Sequence, residues 1–115
     1  MKRITPERVV EAYRKTGLRP VRERWVAWRG GECVVCGLSA VAIAAGNDAR
    51  EIEQRTVKTR CIGEMLGLPT EYVGGFADGF DGESRYVDNE EFSAGYADGI
   101  AAREAVLAAG MEFAE

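Results

Sequence analysis

The nine residues Tyr72-Val73-Gly74-Gly75-Phe76-Ala77-Asp78-Gly79-Phe80 decide the fold, because they return twenty positions later as Phe92-Ser93-Ala94-Gly95-Tyr96-Ala97-Asp98-Gly99-Ile100. Both stretches read aromatic-x-x-Gly-aromatic-Ala-Asp-Gly-apolar, an agreement that marks an internal repeat. On a helix, Tyr72, Gly75, Phe76, Gly79 and Phe80 form one stripe, as do Phe92, Gly95, Tyr96, Gly99 and Ile100. Glycine inside a helix costs about 1 kcal/mol relative to alanine, so Gly74, Gly75 and Gly79 together cost about 3 kcal/mol. Close helix approach is the physical offset: glycines four apart clear a flat groove between helices. The expectation is a two-helix hairpin in which the rings of each copy fit the groove of the other.

The competing reading takes Asp78-Gly79, Asp81-Gly82 and Asp98-Gly99 as turns, since Asp-Gly is a strong turn dipeptide. Against it, the second copy runs directly into Ala101-Ala102-Arg103-Glu104-Ala105-Val106-Leu107-Ala108-Ala109, a strong helix former with no restart signal. Helix is the better reading for both copies.

Outward from the repeat, Thr5-Pro6-Glu7 reads as N-cap, first helical residue and acidic first turn, with Val9, Val10 and Tyr13 on one face and Gly17 as the stop. Two apolar runs around Gly30-Gly31 suggest a short β-hairpin within residues 21–36. Leu38 to Ala45 is apolar nearly all round, as a buried helix would be, and Gly46-Asn47 ends it. Asp48 with Glu51 resembles a capping box opening one helix toward Gly67, whose imperfect spacing leaves room for a break near Thr56 or Gly63. Thr70 is expected to cap the first repeat helix and Asp88 the second, with a polar loop between them and a fraying tail from Met111. The fold class is therefore mainly α, about five helices in one compact bundle spanning residues 1–115.

Length fits a single domain, because a second core would be too small to hold. No run approaches the about 18 apolar residues of a membrane span, and the N-terminal segment leads into an amphipathic helix rather than a secretory core. Three cysteines are too few for a disulfide scaffold, which points to the cytoplasm. The net charge of -4 hides a division: residues 1–60 hold thirteen Lys/Arg and seven Asp/Glu, residues 61–115 two and twelve. Opposite halves of one chain compensate each other most simply by lying together.

The chain has no histidine, which removes Ser-His and Cys-His nucleophiles and histidine metal sites. Cys33 and Cys36, spaced as CxxC, are the best chemical candidate. A redox reading lacks the surrounding βαβ pattern, and a zinc reading needs Cys61 and an unusual Glu32 as further ligands. The acidic loop Asp78, Asp81, Glu83, Asp88 has no EF-hand register. Arg14, Lys15, Arg19, Arg22, Arg24 and Arg29 surround Tyr13, Trp25 and Trp28, a mixture that suits nucleic acid, although a pI near 5.0 argues against a dedicated binder.

Ala12-Tyr13, Thr16-Gly17-Leu18, Pro20, Cys36-Gly37-Leu38 and Gly75-Phe76-Ala77-Asp78-Gly79-Phe80-Asp81-Gly82 together resemble a group of small uncharacterised bacterial proteins with a GFxxGFDG-like motif. The resemblance implies a compact bacterial domain and carries no activity. The functional expectation is a non-enzymatic helical interaction module without cofactor or metal, self-associating through Tyr72, Gly75, Phe76, Gly79, Phe92, Gly95, Tyr96 and Gly99. The alternatives are a thiol or zinc protein using Cys33, Cys36 and Cys61, and an anion or nucleic-acid binder.

Overall fold

Thr5 opens the first helix as its sequence requires: its hydroxyl accepts from the Arg8 amide, Pro6 stands at the first helical position, and α1 (Pro6–Thr16) stops at Gly17 in the left-handed conformation. The computed structural model describes residues 2–84 and 87–114. Among these, the architecture is mainly α, with six helices and one small sheet.

The chain leaves α1 into β1 (Arg19–Pro20), then forms the hairpin of β2 (Val26–Arg29) and β3 (Glu32–Val35). Gly30 and Gly31 turn it, both with positive φ (58° and 81°) as a two-residue hairpin turn demands. β2 pairs antiparallel with β3, Val26 opposite Val35, while β1 pairs parallel with its other edge, Arg19 opposite Val34. The sheet order is β1-β3-β2. On its central strand Val35 is fully buried in the main core and Val34 is fully buried with Val21 and Ala27.

α2 (Gly37–Ala44) is the buried central helix. The next segment is two helices rather than one, α3 (Ala49–Gln54) and α4 (Lys58–Leu66), broken at Thr56 and not at Gly63, which lies inside α4. Arg55 is extended, the β-branched Thr56-Val57 pair disfavours helix, and the Lys58 ammonium caps the carbonyls of Glu53 and Arg55. This break accounts for six helices instead of five.

α5 (Thr70–Asp81) and α6 (Glu90–Ala108) carry the two matching stretches, both helical throughout. Two caps fall one residue from their predicted places. Thr70 is already helical and Pro69 precedes it, while Asn89 rather than Asp88 caps α6, accepting from the Phe92 amide at 2.9 Å. The expected polar loop is described at residues 83–84 and 87–89, and residues 85 and 86 lie outside the described residues.

Through Ala114 the tail packs on the core rather than standing free of it. Phe113 packs on Phe80 with ring centroids 5.4 Å apart, and the Ala114 amide donates to the Pro20 carbonyl at 2.8 Å, adding a bridge beside β1. Burying Phe113 against the core offsets the entropy of ordering the last residues. One core joins α1, α2, α5 and α6, with Tyr13, Leu38, Tyr72, Phe76 and Phe80 among its largest buried side chains. No helix is long and apolar enough to cross a membrane among the described residues.

Candidate functional site

The glycine stripe is spent on helix packing. A Cβ on Gly75 would collide with the Phe92 carbonyl oxygen and lie 3.0 Å from the Tyr96 amide; one on Gly79 would meet the Tyr96 carbonyl and the Ile100 amide. The reverse contacts correspond: Gly95 lies on Tyr72 and Phe76, and Gly99 on Phe76 and Phe80. Later residues of α5 meet later residues of α6, so the helices run parallel, not as the antiparallel hairpin first expected. The contacts obey the same twenty-residue offset as the sequence, which gives the pair a local two-fold relation.

Backbone meets backbone at this contact, and the rings do not fill it. Tyr72, Phe76 and Phe80 form a column on the core side of α5, each ring 6.3 Å from the next. Phe92 and Tyr96 stack on each other along α6 at 6.4 Å. All four glycines of the stripe are covered inside the chain, so the stripe packs α5 against α6 of the same molecule.

The Asp of the second stretch has a structural task. Asp98 takes a two-pronged bond from Arg3 (2.8 and 2.9 Å) and the Tyr72 hydroxyl proton at 2.6 Å, while the Tyr72 oxygen accepts the Ile4 amide at 2.9 Å. Burial opposes ionisation of Asp98, but the bonds from Arg3 and Tyr72 outweigh it and hold its carboxyl below the usual carboxylate value. The N-terminal segment is thereby clamped across α5 and α6.

Arg3 on Asp98, Arg19 on Glu112 and the Arg22 guanidinium on the Asp81 carbonyl join the basic part of the chain to the acidic part. Tyr13 is buried and donates to the Val35 carbonyl at 2.8 Å, so it offers no face for stacking a base. Trp25 packs on the core, and Trp28 is half-exposed with its indole on Glu53.

The three cysteines are free thiols. An odd separation along extended chain points Cys33 and Cys36 to opposite faces, leaving Cys33 half-buried and Cys36 buried. Burial pushes the Cys36 thiol up to about 11, outweighing its position at the N-terminus of α2 and its contact with Ser39 at 3.3 Å. Among the described residues, no three cysteine or acidic side chains come together as metal ligands, so the zinc set of Cys33, Cys36, Cys61 and Glu32 is not assembled.

Several independent features do converge, in a cleft of about 280 Å³ beside α5. One wall is Glu23, Arg24 and Trp25; Cys36 also lines it, and Thr59 and Phe92 come from α4 and α6. The other wall is a second stripe of α5, Gly74, Ala77, Asp78 and Asp81, spaced i, i+3, i+4, i+7 and adjoining the packed glycines. The Arg22 guanidinium caps the Asp81 carbonyl at 2.9 Å, the Glu23 amide donates to the Asp81 carboxylate at 2.9 Å, and the Trp25 carbonyl accepts the Cys36 amide at 3.2 Å. Residues 22–25 are thus strung from the end of α5 to the start of α2. Among the described residues, Glu23 alone of the non-glycines has positive φ, at 63°. Burial pushes the Asp81 carboxyl up to about 6 despite the Glu23 amide and the Arg22 charge, which favour its ionised form.

A larger space, about 540 Å³ between α1 and α2, is more open and lined by Arg8, Arg14 and Lys15. Lys15 there caps the Ala44 carbonyl, an ordinary helix-end role, and no strained residue borders it.

The sequence reading set Trp25 among the arginines and Asp81 in the acidic loop, and grouped neither with Glu23 and Gly74. One signal was available: Gly74 is the glycine of the first stretch that the second replaces with alanine, Ala94. No family model matches the chain, and no curated protein or solved structure matches it.

Proposed function

We propose that the chain is a small bacterial, cytoplasmic interaction module that acts by binding, and that its binding site is the cleft between Glu23–Trp25 and α5. The observation that carries this reading is the strained backbone of Glu23, held over the cleft by its bond to the half-buried Asp81 carboxylate. Left-handed backbone costs a residue with a side chain about 1–2 kcal/mol, and such strain persists where surrounding structure enforces it, characteristically at ligand sites. A cleft with aromatic walls and a few convergent polar groups is the usual form of a small-molecule site. Its one thiol, Cys36, is held protonated and is a poor nucleophile, so the groups on offer bind rather than attack.

Protein-observed NMR with a fragment set of mixed charge tests the reading. The expected result is a cluster of shifted amides at residues 23–25, Cys36 and residues 74–81. Shifts confined to the groove between α1 and α2, or scattered over the surface, would remove the cleft as the binding site.

A further inference from the structure

Gly74 has no explanation inside the chain. Gly75, Gly79, Gly95 and Gly99 lack side chains because backbone of the facing helix occupies the place of a Cβ. A Cβ on Gly74 would meet nothing within 4 Å. Its counterpart in the other stretch is Ala94, on a helix of the same pair, so the pairing does not require glycine there. Glycine in the middle of α5 nonetheless weakens the helix relative to alanine. What the missing side chain leaves is open space, and that space belongs to the cleft. Glycine with open space before it marks a place where something from outside approaches backbone closely.

The walls say what that something is. Glu23 and Asp81 bring carboxylates to the lining beside Arg24, and Trp25 and Phe92 bring aromatic rings. Carboxylates beside aromatic rings complement a cation with an apolar stem. The volume of about 280 Å³ is at the small end for ligand sites and suits a compact molecule.

We propose that the cleft binds a small free organic cation, a guanidinium or primary ammonium on a short carbon chain, with the stem lying over Gly74 against Trp25 and the charged head toward Asp81 and Glu23. This rests on the cleft being the binding site and adds the class of its ligand. The cation is held by charge-assisted hydrogen bonds, and no bond is made or broken.

The test is an NMR titration of the full chain with n-butylguanidinium, with n-butylurea as its uncharged counterpart of the same shape and with butyrate as an anion. n-Butylguanidinium is expected to shift the amides of Glu23, Gly74, Ala77 and Asp81 and to bind at least about tenfold more tightly than n-butylurea. Gly74→Leu should unfold at a higher temperature than the parent yet bind at least about tenfold more weakly, because it improves the helix and fills the space. Gly74→Ala, a smaller change, should move both measurements in the same directions by less. Asp81→Asn should bring n-butylguanidinium to the level of n-butylurea. Unimpaired binding by Gly74→Leu overturns the proposal. Equal or tighter binding of n-butylurea or butyrate at the same amides overturns the cationic ligand and leaves the cleft as the site. Absence of any cleft shift with all three probes and with the fragment set overturns both. Tighter binding of the blocked peptide Gly-Gly-Arg-Gly-Gly than of n-butylguanidinium overturns the free small molecule in favour of a side chain presented by a protein.

Discussion

Gly95 lies so close to Tyr72 across the helix pair that a Cβ on it would sit 2.9 Å from the Tyr72 carbonyl carbon and collide with its oxygen. Helix propensity favours alanine by about 1 kcal/mol, but separating two backbones in a packed core costs more, typically 1–3 kcal/mol and beyond when backbone must move. Gly95→Ala is therefore expected to destabilise the protein by about 2 kcal/mol or more, and Gly75→Ala by a similar amount through the corresponding contact. Urea unfolding measures both, and unchanged or raised stability would refute the close contact.

Gly74→Ala should act in the opposite sense. With nothing within 4 Å of the new Cβ, the helix gain is unopposed, and stability should rise by about 1 kcal/mol. Two neighbouring glycines with opposite responses in the same unfolding assay would separate the packed stripe of α5 from its open one.

Asp81 makes stability depend on pH. Its carboxyl ionises near the ordinary 3.8 when unfolded and at about 6 when folded, so between those values the folded state holds the extra proton. Stability from this group falls as pH rises from about 4 to 6 and then levels off. Asp81→Asn, whose side-chain oxygen still accepts the Glu23 amide, should gain on the parent across that window. Chemical denaturation at pH 4 and pH 7 checks the sign: a variant no better at pH 7 than at pH 4 would contradict the burial of this carboxyl. Asp98 works the other way. Its folded value is depressed, so the stability it supplies is present above the ordinary carboxylate value and is lost as acid reaches the folded one.

Alkylation should distinguish the thiols. Cys33 is half-buried and Cys36 fully buried with its thiol pushed up to about 11. Iodoacetamide at pH 8 should label Cys33 first, with Cys36 modified only as fast as the protein opens. Mass spectrometry of timed samples reads the order, and fast labelling of Cys36 in the folded protein would restore it as a reactive group.

What the sequence made legible was local. Thr5, Pro6 and Gly17 bound α1 by capping chemistry that acts within a few residues, and Gly30-Gly31 turns the hairpin because few other residues adopt those dihedrals. The helical nature of residues 72–80 and 92–100 followed from spacing alone. Direction did not: a stripe of glycines packs equally well against a parallel or an antiparallel partner, and the hairpin expectation took the second. The tail looked loose because Phe113 has no periodic neighbours, yet its contact is Phe80, a residue distant in sequence. The cleft was invisible for the same reason, since Trp25, Cys36, Gly74 and Phe92 meet only after α2, α5 and α6 have packed.

The parallel course of α5 and α6 turns the link between them into a ruler. The twelve residues of α5 climb ~18 Å, and residues 82–89 must return the chain by about that distance before α6 begins level with the start of α5. Eight residues reach ~26–29 Å when extended, enough with modest slack; four would reach only ~13–14 Å. A chain shortened by four residues there could still make every glycine contact, but only with the α6 of a neighbouring molecule. Loop length, and no side chain of the pair itself, sets whether this helix pair can close within one chain.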